Sequence, residues 1–198
     1  MSADLFPVFL KLSGRRVLVV GGGPVATSKI DALAAAGADI TVVAPVMTAG
    51  IKASGVTRLY REFTADDVDG AWLVVAAATP SVNREVARAA EARGVFVNAV
   101  DDPPNATAYL GGVVRRAGVT LAISTSGQAP ALAGLLREAL DALLPADFER
   151  WVAEARAIRP RWIARRVPMG DRRPELLRAL NGLYARRLWQ TFAGEVWL

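Results

Sequence analysis

The 198-residue chain contains neither cysteine nor histidine. Without cysteine, it can form no disulfide bond and no thiolate metal site. Without histidine, it lacks the commonest side-chain metal ligand and the commonest acid–base group near neutral pH. We therefore expect no tight metal site built from protein ligands, and any acid–base chemistry must use Asp, Glu, Lys or Tyr.

Long apolar runs are also absent. The longest one, residues 71–78, is far shorter than the roughly 20 residues that span a bilayer, so we expect no membrane helix. The first residues lack the basic and apolar regions of a signal peptide, and we expect a cytoplasmic protein. Hydrophobic residues make up 53% of the chain, which argues against disorder.

The net charge of +5 is concentrated at the carboxyl-terminal end. Residues 148–198 contain 11 arginines and five acidic residues, whereas the preceding residues are close to neutral. Such a basic tail is compatible with phosphate contacts in a nucleic acid, and a single arginine is also compatible with a solvated helical face. The tail has four tryptophans at helix-compatible intervals, which favour a packed subdomain, and we expect no nucleic-acid partner. They are Trp151, Trp162, Trp189 and Trp197.

The most informative feature is a glycine turn between a predicted strand and a predicted helix. The apolar, β-favouring run Val17–Val20 leads directly into Gly21, Gly22 and Gly23. This order is typical of dinucleotide binding, although a glycine turn can also simply join a strand to a helix. Gly21 would permit the tight turn, Gly23 would let the backbone approach a pyrophosphate, and Ala26 would let helix and strand pack closely.

Predicted strands and helices alternate along the first 100 residues. We predict strands at residues 17–20, 40–43, 56–60, 72–78 and 95–100, with helices at 25–36 and 81–93. This alternation predicts an α/β fold, a Rossmann-type doubly wound parallel sheet with right-handed crossovers. The pattern then changes to a hairpin over 113–123, a helix over 130–144 and a basic tail of two helices divided near residue 168.

Ligands of such folds bind at the carboxyl ends of the strands. After the second strand, Pro45 and Val46 stand where an acid usually binds the adenine ribose, and no arginine suggests a pocket for a 2′-phosphate. The adenosine would therefore be held mostly by backbone and packing. Thr79 and Asn83 follow the fourth strand, where they fit helix-start chemistry and a cofactor contact equally well.

A pair of carboxylates, Asp101 and Asp102, follows the fifth strand at the predicted mouth of the nucleotide crevice. Such a pair can serve acid–base chemistry, but an Asp-Pro sequence is also ordinary turn chemistry. The residues by themselves leave both interpretations open.

Several motifs occur in a consistent order along residues 5–145. They are the opening 5–12, the run Val20–Ala26 with Lys29 on the following helix, Asn98–Asp101, and Ser124–Pro130 ahead of Leu135–Glu138. Together they resemble the precorrin-2 dehydrogenase family, the dehydrogenase/ferrochelatase module of siroheme synthase. This match is much more specific than the glycine turn alone.

The resemblance implies NAD-dependent oxidation of precorrin-2 to sirohydrochlorin, on the way to siroheme or cobalamin, with insertion of iron or cobalt in some members. Its members are homodimers built through the segment after the Rossmann domain. The implied organisation is an NAD-binding Rossmann domain over 1–112, a dimerisation segment over 113–145 and a basic helical domain over 146–198. We expect no methyltransferase half of the kind found in larger fused forms.

The resemblance also assigns site residues. It places the family's important aspartate at Asp101. Its NAD-contacting positions fall on Pro24, Val25, Pro45 and Val46, and its hydroxyl-rich turn, which would contact substrate, falls on Ser124, Thr125, Ser126 and Gly127. The family commonly has serine where Thr125 stands, which leaves the role of this hydroxyl open.

Oxidation of a reduced tetrapyrrole requires a hydride acceptor and a base. NAD⁺ would take the hydride, and Asp101 is the best placed proton acceptor because the chain has no histidine. The eight carboxylates of the substrate would give the arginine-rich tail a role, since guanidinium groups pair well with carboxylates. A non-catalytic NAD-sensing or binding module is the alternative, and it would bind NAD without reducing it.

Overall fold

The computed structural model describes residues 5–193, with residues 184–193 described by their backbone alone. The chain divides into two compact units. The first unit contains the residues up to Gly112 together with Ser124–Gly134, and the second contains Val113–Ile123 and the residues from Leu135 onward. The assignment of residues 113–145 to dimerisation stays a prediction.

A five-stranded sheet forms the centre of the first unit. Its strands are β1 (Arg16–Val20), β2 (Asp39–Val43), β3 (Thr57–Leu59), β4 (Leu73–Ala76) and β5 (Phe96–Ala99). They lie in the order β3-β2-β1-β4-β5, and every pairing is parallel. The accompanying helices are α1 (Pro24–Ala35), α2 (Ala49–Ala53) and α3 (Pro80–Ala92). The predicted doubly wound parallel sheet is therefore confirmed.

Both faces of this sheet are buried, which explains why its central strand is apolar from Val17 to Val20. Val17 and Val19 of β1 belong to a core cluster that also contains Ile30 of α1. Leu18 and Val20 point to the opposite face and belong to a second cluster, together with side chains of α3. Alternate residues of a strand point to opposite faces, so a sheet covered on both sides needs apolar residues at consecutive positions.

The predicted strands β4 and β5 are too long at their carboxyl ends. The prediction extended them to residues 78 and 100, whereas they end at Ala76 and Ala99. The register pairs Val20, the last residue of β1, with Ala76, and the glycine turn then leaves the sheet. Beyond this point the chain of β4 has no parallel partner in β1, so the residues that follow form loops at the carboxyl edge of the sheet.

One short helix, α2, was not predicted from the sequence. Thr48 caps its N-terminus, where its hydroxyl accepts the N–H of Ile51 at 3.4 Å. The Ile51 side chain is fully buried in the core. A five-residue helix is too short to show a helical period, so it was not recognisable from the pattern alone. Two short 3-10 turns, at residues 65–68 and 103–105, were missed for the same reason.

The hairpin β6 (Gly112–Arg116) and β7 (Val119–Ile123) forms a separate two-stranded sheet, as predicted. Ala117 and Gly118 connect its strands with φ values of 52° and 79°. Three helices follow, α4 (Pro130–Leu143), α5 (Phe148–Ala164) and α6 (Met169–Ala193). The predicted break near residue 168 therefore separates α5 from α6. Among the described residues, no helix is both long enough and apolar enough to cross a membrane.

Tryptophans pack within the basic tail where the structure describes them. Trp162 of α5 is 9% exposed, and its indole N–H donates to the carboxylate of Glu175 on α6 at 2.6 Å. The ring of Trp151 lies 6.1 Å from that of Phe148. These contacts support a packed helical subdomain. The side chain of Trp189 and all of Trp197 lie outside the described residues.

Candidate functional site

The glycine turn lies at the carboxyl end of the central strand, where the strand order reverses between β1 and β4. Gly21 has a φ of 126°, and a Cβ there would overlap the carbonyl oxygen of Ala77 after β4. A Cβ at Gly22 would overlap the carbonyl oxygen of Val46 after β2. Both glycines are therefore required for the turn to fit between its two neighbouring loops.

Gly23 has a different environment from the two glycines before it. A Cβ at this position would meet nothing within 4 Å, so the space in front of Gly23 is open. Gly23 is also the N-cap of α1, no side chain caps that end of the helix, and Pro24 occupies the first turn. The uncapped first turn of a helix carries free N–H groups and a partial positive charge that bind anions. This open cradle fits the pyrophosphate of a dinucleotide.

Two exposed residues, Pro45 and Val46, border the turn on the β2 side. The Val46 side chain is 79% exposed, while its backbone packs against Gly22. The N–H of Thr48 donates to the carbonyl of Gly22 at 2.9 Å and so ties this loop to the turn. The loop offers apolar surface rather than charge, which suits packing against an adenosine.

Thr79 and Asn83 have separate roles in the loop after β4. The side-chain oxygen of Asn83 accepts the N–H of Ala78 at 3.0 Å, and the residue is only 4% exposed. Asn83 therefore fixes the shape of the loop while it lines the adjacent cleft. Thr79 is exposed and does not cap α3, because its hydroxyl pairs with that of Ser81 at 3.1 Å.

A cleft of about 450 Å³ opens at the carboxyl ends of β4 and β5, and we call it the β4–β5 cleft. Val25 contributes from α1, Ala77 and Ala78 from the loop after β4, and Asp101 from the loop after β5. The glycine turn lies at the end of β1, and the β4–β5 cleft lies on its side away from β2. A dinucleotide whose adenosine packs on the β2 side would place its nicotinamide half here.

A second cleft of about 290 Å³ lies beside the first, and we call it the serine-turn cleft. Its lining includes Lys29, Tyr109, Ser124 and Thr125, all within the first unit. It shares Val100, Asp101 and Asp102 with the β4–β5 cleft. The loop after β5 is thus the wall between the two clefts.

The two neighbouring carboxylates in this wall differ in their contacts. Asp102 accepts a hydrogen bond from the side-chain amide of Asn105 at 2.8 Å and precedes the 3-10 turn Pro103–Asn105. Asp101 is exposed, and no hydrogen bond or ion pair engages its carboxylate among the described residues. Its φ of 56° is a left-handed conformation that costs a residue with a side chain about 1 kcal/mol. Such conformations cluster at functional sites.

The hydroxyl-rich turn forms the opposite side of the serine-turn cleft. The Ser124 hydroxyl accepts the N–H of Ser126, which has a φ of 54°. The Thr125 hydroxyl accepts the N–H of Ala129 at 3.3 Å and so supports the start of α4. A Cβ at Gly127 would lie 3.0 Å from Pro103, so the turn packs closely against the loop after β5. Ser124, Thr125 and Gly127 line the cleft, whereas Ser126 shapes the turn.

Three cleft residues received no role in the sequence analysis: Lys29, Tyr109 and Asn98. The Tyr109 hydroxyl donates to the carbonyl of Pro103 at 3.1 Å, and the buried side-chain amide of Asn98 donates to the carbonyl of Ala108 at 2.9 Å. Both residues brace the loop after β5. A place for Lys29 in the site could have been predicted from the sequence. It lies four residues after Val25, a predicted NAD contact, and therefore on the same face of α1. In the described part of the chain, no three His, Cys, Asp or Glu side chains converge as a metal site would require.

Known proteins match this chain over most of its length. Residues 8–112 match the family model described as "Putative NAD(P)-binding". "Siroheme synthase 1" of Aeromonas salmonicida is 41% identical over 195 residues, which cover 96% of this chain and 41% of that protein. "Siroheme synthase 1" of Serratia proteamaculans is 38% identical over 92% of this chain and 39% of its own length. The chain thus spans about two fifths of the length of these relatives.

A solved structure is similar over almost the whole chain. The structure of "SirC, precorrin-2 dehydrogenase" superposes with a TM-score of 0.70 at 25% identity. The alignment covers 96% of this chain and 100% of that one. The similarity therefore includes the hairpin and the carboxyl-terminal helices as well as the nucleotide-binding sheet.

Proposed function

This chain belongs to the precorrin-2 dehydrogenase family, the dehydrogenase module of siroheme synthases, and from that membership we propose that it oxidises precorrin-2 to sirohydrochlorin with NAD⁺. The observation that carries the proposal is the position of Asp101 in the wall shared by the two clefts. A proton acceptor at this point touches both the space suited to a nicotinamide and the space suited to a substrate. Removal of two hydrogens needs such a group beside a hydride acceptor.

The first unit has the features needed to hold NAD⁺, which would supply the hydride acceptor. The open space at Gly23 and the uncapped start of α1 suit the pyrophosphate. Pro45 and Val46 would pack on the adenosine, and Val25 and Asn83 would border the nicotinamide half in the β4–β5 cleft. We expect a preference for NAD⁺ over NADP⁺, because the loop after β2 has no cation for a 2′-phosphate.

Asp101 would accept the proton that leaves the tetrapyrrole. Its carboxylate has no competing partner among the described residues, whereas that of Asp102 is engaged by Asn105. The turn that contains Ser124 and Thr125 would border the substrate on the other side of the serine-turn cleft. The Thr125 hydroxyl accepts a backbone hydrogen bond and still has its own hydrogen to donate to a substrate carboxylate.

The second unit would supply part of the proposed assembly and further substrate contacts. Leu135, Leu136 and Leu143 of α4 are exposed in the single chain, which supports a homodimer built through residues 113–145. Arginines of the tail would pair with carboxylates of the tetrapyrrole rather than with nucleic acid. The enzyme would act in the cytoplasm without a membrane contact, a location that its similarity to siroheme synthases supports.

An anaerobic assay of the purified protein with precorrin-2 and NAD⁺ tests this proposal. We expect NADH to appear as the sirohydrochlorin absorbance grows, in equal amounts. Binding of NAD⁺ without any reduction in the presence of precorrin-2 would instead support a non-catalytic NAD-binding module. Addition of Fe²⁺ or Co²⁺ after the oxidation then shows whether the same chain inserts a metal into its product.

A further inference from the structure

We propose that Lys29 binds a carboxylate of the tetrapyrrole in the serine-turn cleft and so sets the affinity for substrate. This inference rests on the proposed function, because that function supplies a substrate with several carboxylates. Lys29 is the only cation among the residues that line this cleft. Asp101 and Asp102 are the other charged residues there, so the cleft without Lys29 would repel a polyanion.

The position of Lys29 on α1 places it beside the reacting part of the site. Val25 lines the β4–β5 cleft, and Lys29 lies four residues later, on the same helical face, and lines the serine-turn cleft. Four residues correspond to about 6 Å along the helix axis. A carboxylate held by Lys29 would therefore fix the substrate one helical turn away from the start of α1, where the cofactor is expected.

The contacts of Lys29 leave its ammonium group available. The residue is partly buried, and no described residue forms a hydrogen bond or an ion pair with it. A charged group in a cleft gains most from a partner of opposite charge, because the surrounding protein reduces screening by water. In the proposed function, the partner of opposite charge for this ammonium group is a carboxylate of the substrate.

Lysine is rare in this chain, which makes its presence at position 29 informative. The chain has three lysines, at positions 11, 29 and 52, and 21 arginines. Lys11 and Lys52 are exposed, and Lys29 is the single lysine that lines either of the two clefts. An ammonium is a compact charge on a flexible stem, and its three donors can turn toward a carboxylate from several directions.

Lys29→Met tests the inference, with Lys29→Arg to retain the charge and Lys52→Met as the matched loss of an exposed lysine. For Lys29→Met, we expect the KM for precorrin-2 and the Kd for sirohydrochlorin to rise about 10- to 100-fold, the range for a hydrogen bond to a charged group. We expect kcat, the Kd for NAD⁺ and the Tm to change little. Lys29→Arg should recover part of the affinity, and Lys52→Met should stay within about twofold of wild type.

Three results would overturn the inference. The first is an unchanged KM in Lys29→Met, and the second is an equal loss of substrate affinity in Lys52→Met. The third is a change in kcat and its pH profile in Lys29→Met at constant KM, because Lys29 would then act on Asp101 instead. If the wild type forms no NADH, the proposed function fails, and the sirohydrochlorin titration alone decides the role of Lys29. Weaker binding by Lys29→Met would then still support it, whereas equal binding, or no binding by wild type, would reject it.

Discussion

Two loops of the first unit each present an aspartate, and they use it in opposite ways. Asp67, before β4, is 6% exposed, and its carboxylate accepts two hydrogen bonds from the Arg61 guanidinium at 2.8 and 2.5 Å. It also accepts the N–H of Thr64 at 2.9 Å. Asp101, after β5, is exposed and has no partner among the described residues. A carboxylate whose oxygens are all engaged stabilises a fold, whereas a free one at the meeting of two clefts is available for chemistry.

The largest effect is expected from Asp101→Asn, which removes the proton acceptor and keeps the size of the side chain. Turnover of precorrin-2 should fall about 10²- to 10⁴-fold, the usual loss for a general base. NAD⁺ affinity and Tm should be preserved, because asparagine tolerates the left-handed backbone of this position. Asp102→Asn, measured in the same anaerobic assay, is the control and should lose little. Near-normal turnover in Asp101→Asn would show that another group or water takes the proton.

The glycine turn allows a second comparison within the first unit. Gly23→Val places a branched side chain in the open cradle, where the backbone conformation is extended and allows valine. We expect the NAD⁺ affinity to fall roughly 10- to 100-fold, as for lost hydrogen bonds to a charged group, with the fold intact. Gly22→Ala should instead lower the Tm, because its Cβ overlaps the backbone of Val46. Calorimetry of both variants separates the two outcomes. An unchanged NAD⁺ affinity in a folded Gly23→Val variant would exclude this cradle.

Asp67 is expected to control stability in acid. The hydrogen bonds from Arg61 lower the pKa of Asp67 below its usual value, against the opposing effect of burial. Because the folded-state pKa is the lower one, this stabilisation is complete above the unfolded pKa of about 3.9 and is lost as the pH falls through the folded pKa. Urea unfolding of wild type and Asp67→Asn should therefore differ at pH 7 and begin to converge only below about pH 4, as Asp67 of the folded protein takes up its proton. A difference that stays constant with pH would assign the effect to packing rather than to charge.

The smallest effect is expected from Thr125→Val, which removes the hydroxyl that accepts the N–H of Ala129 at the start of α4. Loss of such a hydrogen bond costs about 1 kcal/mol of the free energy of unfolding. Thr125→Ser keeps the hydroxyl and should retain the wild-type stability. If Thr125→Val also raises the KM for precorrin-2 beyond what Thr125→Ser does, the hydroxyl contacts the substrate as well. A Tm unchanged in both variants would show that this hydrogen bond contributes nothing measurable.

The doubly wound sheet, the hairpin and the carboxyl-terminal helices could be predicted because each depends on local patterns. Apolar runs such as Val17–Val20, glycines at turns and the break near residue 168 are visible in the sequence. The last residues of β4 and β5 could not be predicted, because β4 ends where its partner β1 leaves the sheet and β5 ends where its partner β4 does. The helix α2 was missed because one buried residue, Ile51, and one cap define it.

The site residues show the same division between local and long-range information. The sequence alone determined that a glycine turn follows an apolar strand, that acid–base chemistry must do without histidine and cysteine, and that Asp101 follows the fifth strand. Only the tertiary structure decided that Asp101 is free while Asp102 is engaged, that Gly23 faces open space while Gly22 is tightly packed, and that Lys29 lines the same cleft as Ser124. The physical reason is that these properties depend on contacts between segments far apart in the chain, which no local pattern of residues records.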